Sequence, residues 1–121
     1  MQKTLYDALG AANIAQLVEA FYENILADPV TAPLFKTDMA EVKRKQTMFL
    51  TQFLGGEPLY TKTFGHPRMR MRHMPHRITE EAAIHWLRCM DAAIQQLDIS
   101  DELKQKLFTA FPRLAAHMVN S

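Results

Sequence analysis

Asn13-Ile-Ala-Gln-Leu-Val-Glu-Ala-Phe-Tyr-Glu-Asn-Ile-Leu26 is the stretch on which the fold turns. Its apolar residues Ile14, Leu17, Val18, Phe21, Ile25 and Leu26 recur at the spacing of one helical face. Asp28-Pro29 ends the run, because the residue before a proline is driven out of helical backbone. Upstream, Gly10 separates off a short N-terminal segment; downstream, residues 29–37 read as a tight connector with little regular structure. Asp38 with Glu41 three residues on resembles a capping box and opens a helix from about Met39 to Leu54. Val42, Phe49 and Phe53 share one face of it, with Gln46 among them, and Gly55-Gly56 stops it.

Glu57 to about Pro67 reads as a loop, followed by the basic stretch Arg68-Met-Arg-Met-Arg-His73 and Pro75. Thr79 is placed to cap a further helix, with Glu80 and Glu81 suited to its positive end. That helix turns Ala83, Trp86, Leu87, Met90, Ile94 and Leu97 inward. Ser100 or Asp101 caps the last helix, whose apolar face carries Leu103, Leu107, Phe108, Phe111, Leu114 and Met118. Pro112 inside it removes one backbone hydrogen bond and predicts a local bend. No segment alternates polar and apolar residues, and no internal repeat is visible. The fold class is all-α, with an irregular section over residues 55–78 where a plain bundle would have a connection of roughly 2–8 residues.

With 121 residues, 48% of them hydrophobic and 22% charged, the expectation is one domain over 1–121 with an ordinary buried core. A net charge of +1 argues against a general attraction to nucleic acid or membrane. The single cysteine, Cys89, excludes an internal disulfide and fits a reducing compartment. The start of the chain has no apolar run of signal-peptide or membrane-span length, so a cytoplasmic location is expected.

His66, His73 and His76 cluster in the irregular section among Arg68, Arg70, Arg72 and Arg77, whereas His85 and His117 sit on helices, where a hydrogen-bonded or surface role is ordinary. Three chemistries compete for the cluster. Zinc would need thiolate or carboxylate partners at ligand spacing, and Cys89 is alone. A nucleic-acid patch would use the arginines on phosphates, but Met69, Met71 and Met74 alternate with them and favour burial. Haem needs an imidazole for iron, cations for two propionates and an apolar wall, and the chain offers all three. Tyr22, Gln46 and Trp86 add three hydrogen-bonding side chains at inward positions of three different helices. They are either three separately satisfied polar core groups or donors sharing one bound guest, such as O₂.

Phe21-Tyr22, Pro33-Leu34-Phe35, Arg44-Lys45-Gln46, Phe53-Leu54-Gly55-Gly56, Leu59-Tyr60, Gly65-His66-Pro67, Arg70-Met-Arg72-His73, Trp86-Leu-Arg-Cys-Met90 and His117-Met118-Val119 follow one another in an order that resembles the truncated haemoglobins, closest to their second group. The resemblance implies a two-over-two helical sandwich around haem b. It makes His73 the proximal iron ligand, pairs Arg72 with a propionate, and sets Lys45 and Tyr60 at the haem edge. The same resemblance implies that Phe35 packs on the porphyrin and that Val42 stands at the gate position where many globins carry histidine. Phe49, Phe53, Leu54, Ile78 and Met90 complete the implied haem-binding set, with Tyr22, Gln46 and Trp86 on the distal side. Two departures stand out: His76 replaces a common aromatic and is a rival ligand to His73, and Pro112 interrupts the last helix.

The implied function is reversible binding of O₂, or of CO and NO, with slow release and a role such as oxygen transport or scavenging in a bacterial cell. A haem enzyme with peroxidase-like or NO-dioxygenase activity is the alternative, and its electron donor or reductase would be a separate partner. A haem-free basic helical module on nucleic acid is the remote one. A monomer or weak dimer is expected.

Overall fold

A computed structural model describes residues 4–35, 38–64 and 79–119. Among them the regular structure is helical, without strands. The helices are α1 (Leu5–Leu9), α2 (Ala11–Ala27), α3 (Met39–Phe53), α4 (Leu59–Phe64), α5 (Glu80–Gln95), α6 (Asp101–Phe108) and α7 (Pro112–Met118), with a 3₁₀ turn at Ala32–Leu34.

The central stretch behaves as its periodicity requires. Ile14, Leu17, Val18, Phe21 and Ile25 line the buried face of α2, while Leu26 turns outward. Helix α2 packs on both α3 and α5, and α5 packs in turn on α7. The core therefore lies between the α2–α3 and α5–α7 pairs, with Phe21, Leu50, Met90, Ile94, Leu107 and Phe111 fully buried.

Caps were legible where a single side chain does the work. Thr79 accepts from the Ala82 N–H at 3.1 Å and Ser100 from the Leu103 N–H at 3.1 Å, each satisfying an orphan donor of a first helical turn. Asp38 accepts from the Ala40 N–H at 3.0 Å, but Glu41 does not close a capping box. Its carboxylate is taken by Arg44 instead, at 2.6 and 3.0 Å, because a guanidinium one turn on is the stronger donor.

Two expectations about connections are corrected, and the segment before Gly10, left without a secondary structure by the sequence, is resolved. The segment before Gly10 is a helix, opened by a true capping box in which Thr4 and Asp7 exchange backbone and side-chain bonds. The supposed loop after Gly56 holds α4, pinned to α3 by Gln52, which donates to the Thr61 hydroxyl at 2.7 Å and accepts from its N–H at 2.9 Å. The last helix breaks rather than bends: α6 ends at Phe108 and α7 starts with Pro112 in its first turn, where a missing N–H costs nothing.

The double glycine does more than stop α3. Gly55 has φ +102°, and a Cβ there would lie 2.6 Å from Cβ of Thr4. At Gly56 a Cβ would meet the Thr51 carbonyl at 2.8 Å and the Tyr6 ring at 2.9 Å. Helix α1 thus closes over the end of α3, tied there by the Tyr6 N–H donating to the Leu54 carbonyl at 2.9 Å. No described helix is long and apolar enough to cross a membrane.

Candidate functional site

The side chains singled out in the sequence converge through aromatic rings. Tyr22 meets Phe35 at 5.6 Å between ring centroids and Phe21 at 4.8 Å, both edge to face. Phe21 meets Trp86 at 5.1 Å, Trp86 meets Phe111 at 5.9 Å, and Phe111 meets Phe53 at 6.0 Å. Phe53 stacks on Phe49 at 5.5 Å, and Phe49 meets Tyr60 at 5.8 Å. Eight rings from α2, the 3₁₀ turn, α3, α4, α5 and the head of α7 form one continuous arc. Such contacts add roughly 0.5–1.5 kcal/mol per pair beyond area burial, so the arc is a rigid apolar wall. Phe53 remains 38% exposed although rings flank it, so the wall has an open face.

Polar groups are set into this wall. Tyr22 is 4% exposed, and its hydroxyl finds no hydrogen-bond partner among the described residues. The Gln46 amide, half-buried on α3, and the Trp86 indole N–H likewise have none there. Yet no side-chain polar atom among the described residues is sealed away without a partner. The Tyr22 hydroxyl must therefore open onto accessible space rather than onto packed carbon. Burial raises its pKa above the ordinary tyrosine value, which keeps it a neutral donor.

Of the other predicted residues, Leu54 and Met90 are core, Tyr60 is buried and Val42 and Lys45 are half-buried on α3. His73, Arg72 and Ile78, with the rival His76 and the basic stretch, lie outside the described residues. His85 belongs to another cluster, pairing with Asp28 at 2.8 Å. Cys89 is a buried free thiol whose pKa is pushed up by burial and by the charge of Asp28, which favours the neutral thiol. Among the described residues no group of three or more His, Cys, Asp and Glu side chains is placed to hold a metal. A separate groove of about 400 Å³ between α5 and α7, bordered by Ile84, Leu87 and Pro112, includes none of the predicted site residues. The residue that sequence reasoning missed is Phe111, read only as part of an apolar face. Its place immediately before Pro112 was the available signal, since a helix start there holds the ring in the core beside Trp86.

An aromatic wall with an open face and unpartnered donors in it fits a large apolar cofactor carrying a small polar guest. The comparisons with known proteins agree. The model of the bacterial-like globin family matches residues 4–120. The group 2 truncated hemoglobin YjbI of Bacillus subtilis is 45% identical over 115 residues, covering 95% of this chain and 87% of the relative. The chain is a truncated haemoglobin of the second group.

The solved structure of the Group II truncated hemoglobin from Bacillus anthracis superimposes on this truncated haemoglobin with a TM-score of 0.93 at 38% identity, covering 100% of this chain and 94% of the other. That of a truncated oxygen-avid haemoglobin from Bacillus subtilis does so with a TM-score of 0.91 at 44% identity, covering 98% and 100%. The expected two-over-two globin architecture is the one found. Membership of this family carries haem binding with it.

Proposed function

We propose that this truncated haemoglobin is a single haem-binding domain that takes haem b through His73 and binds O₂ reversibly and tightly, with CO and NO as competing guests. When bound, the haem iron supplies the reversible bond to a diatomic gas. Phe35, Phe49, Phe53, Leu54, Ile78 and Met90 would enclose the macrocycle, and Arg72, Lys45 and Tyr60 would meet its propionates and edge. Tyr22, Gln46 and Trp86 would face the gas, with Val42 beside its entry. The observation that carries the proposal is the Tyr22 hydroxyl, buried, neutral and without a partner among the described residues. The Tyr22 ring is packed in the core while its hydroxyl opens onto accessible space, where a guest can accept its proton, a hydrogen bond to a charged acceptor contributing roughly 1.5–3 kcal/mol. A donor fixed in a dry wall also holds developing negative charge more strongly than water does.

An optical spectrum of the purified protein, reduced and then exposed to CO, tests the proposal. A haem Soret band that shifts with CO is expected in the wild type, and a His73→Ala variant should lose the five-coordinate ferrous signature. A wild-type protein without a Soret band at haem stoichiometry refutes the proposal. So does a His73→Ala variant with an unaltered axial environment.

A further inference from the structure

The Asp28 carboxylate sits where the chain leaves α2 and serves three partners. One oxygen accepts from the N–H groups of Val30 at 2.8 Å and Thr31 at 3.2 Å, and the other meets Nδ1 of His85 at 2.8 Å. The first two bonds shape the turn that leads to Phe35. Within it the Thr31 hydroxyl donates to the Ile25 carbonyl at 2.9 Å, and the N–H of Ala32 donates to the Asp28 carbonyl at 2.9 Å. The third bond crosses 57 residues of sequence to α5 and lands one position before Trp86. Nearby, Asn24 donates to the Cys89 carbonyl at 3.1 Å, so α2 and α5 are joined by polar links on both sides of the Trp86 turn.

We propose that Asp28 and His85 are positioning residues that set the Trp86 indole and, through the turn carrying Phe35, the Tyr22 ring in one fixed mutual geometry. The proposal rests on the reading of Tyr22 and Trp86 as the groups that face the bound gas. The physical reason is rotational. Helix α5 packs directly on α2, and the side chains it buries include the small and apolar Ala82, Ala83, Met90 and Ala93, whose contacts are not directional and resist axial rotation weakly. A directional bond at position 85 fixes the rotation at the turn that bears the indole. Phe35 is referred to the same carboxylate, and its ring lies edge-on to Tyr22. Two donors on two helices thereby share one anchor. Misplacement of such groups by about 1 Å can change a rate by as much as 10²-fold.

Trp86 is the single tryptophan of the chain, so its signal can be read without assignment. The experiment uses the haem-loaded protein and compares wild type, His85→Ala and His85→Asn, whose amide nitrogen overlays Nδ1 and can donate to Asp28. Two readouts are taken: the O₂ release rate, and the ultraviolet resonance Raman band of the indole in the CO-bound form. His85→Ala should speed or slow release by about fivefold or more and shift the indole band, and His85→Asn should restore both to near wild type. An indole band unchanged in His85→Ala overturns the proposal, whatever happens to the melting temperature. So does failure of His85→Asn to restore either readout. Trp86→Phe, measured alongside, separates the two ideas. If that variant leaves O₂ release unchanged, the gas-facing assignment of Trp86 fails, while a shifted and rescued indole band still upholds the anchoring by His85.

Discussion

Replacing Tyr22 by Phe removes one oxygen atom and leaves the ring, so its effects on gas release and on stability come apart. The ring keeps its edge contacts with Phe21 at 4.8 Å and Phe35 at 5.6 Å, and the core around it is unchanged. The hydroxyl opens onto accessible space and has no partner among the described residues, so its loss breaks no protein hydrogen bond there. The variant should melt close to the wild-type temperature. Release of O₂ should respond strongly. A hydrogen bond to a charged acceptor contributes roughly 1.5–3 kcal/mol, and about 1.4 kcal/mol is tenfold, so release should be about ten- to a hundredfold faster. Stopped-flow displacement of O₂ by CO measures the rate, and thermal denaturation of the same preparations measures stability. Burial raises the Tyr22 pKa above its ordinary value of 10.0, so the neutral donor form is fully present below that value. The difference between wild type and variant should therefore hold constant between about pH 6 and 9. An unchanged release rate refutes the reasoning. A fall in melting temperature with unchanged release assigns the hydroxyl to the core instead.

Other variants probe the frame that holds these side chains. Gly55→Ala forces a side chain onto φ +102° and against Thr4, and should cost about 1–3 kcal/mol in denaturant unfolding while the haem spectrum is retained. Thr79→Ala removes the cap of α5 and should cost about 1 kcal/mol by the same measurement. Hydrogen bonds from His85 and from the N–H groups of Val30 and Thr31 hold the Asp28 pKa below the ordinary 3.8, against a smaller opposing effect of burial. A depressed folded value means the stabilisation is present above pH 3.8 and fades as pH falls through the folded value. Asp28→Asn should thus narrow the gap between melting temperatures at pH 6 and pH 3, and a gap as wide as that of the wild type would show that Asp28 takes no part in acid unfolding.

Each element that was legible in the sequence rests on short-range physics. The faces of α2, α3 and α5 follow from a 3.6-residue period, and the caps at Thr79 and Ser100 from one hydroxyl reaching a donor three residues on. Helices α1 and α4 were not legible because segments of five and six residues are below the length at which a helix persists alone. They stand because of Gly55 against Thr4 and Gln52 against Thr61, contacts between segments that no window of sequence displays.

The same division runs through the candidate site. Tyr22, Gln46 and Trp86 announced themselves as polar groups in apolar positions, and the ordered series of motifs from Phe21-Tyr22 to His117-Met118-Val119 carried the resemblance to the truncated haemoglobins. Residue types and local periodicity determined those positions unaided, since they depend on neighbours within one or two turns, whereas the family came from resemblance of the motif series. Tertiary structure alone decided that Phe21 bridges Tyr22 to Trp86, that Phe111 backs the indole, and that Asp28 and His85 meet across 57 residues. Those contacts depend on how far one helix is turned and shifted against another, a quantity set by the whole packed core at once.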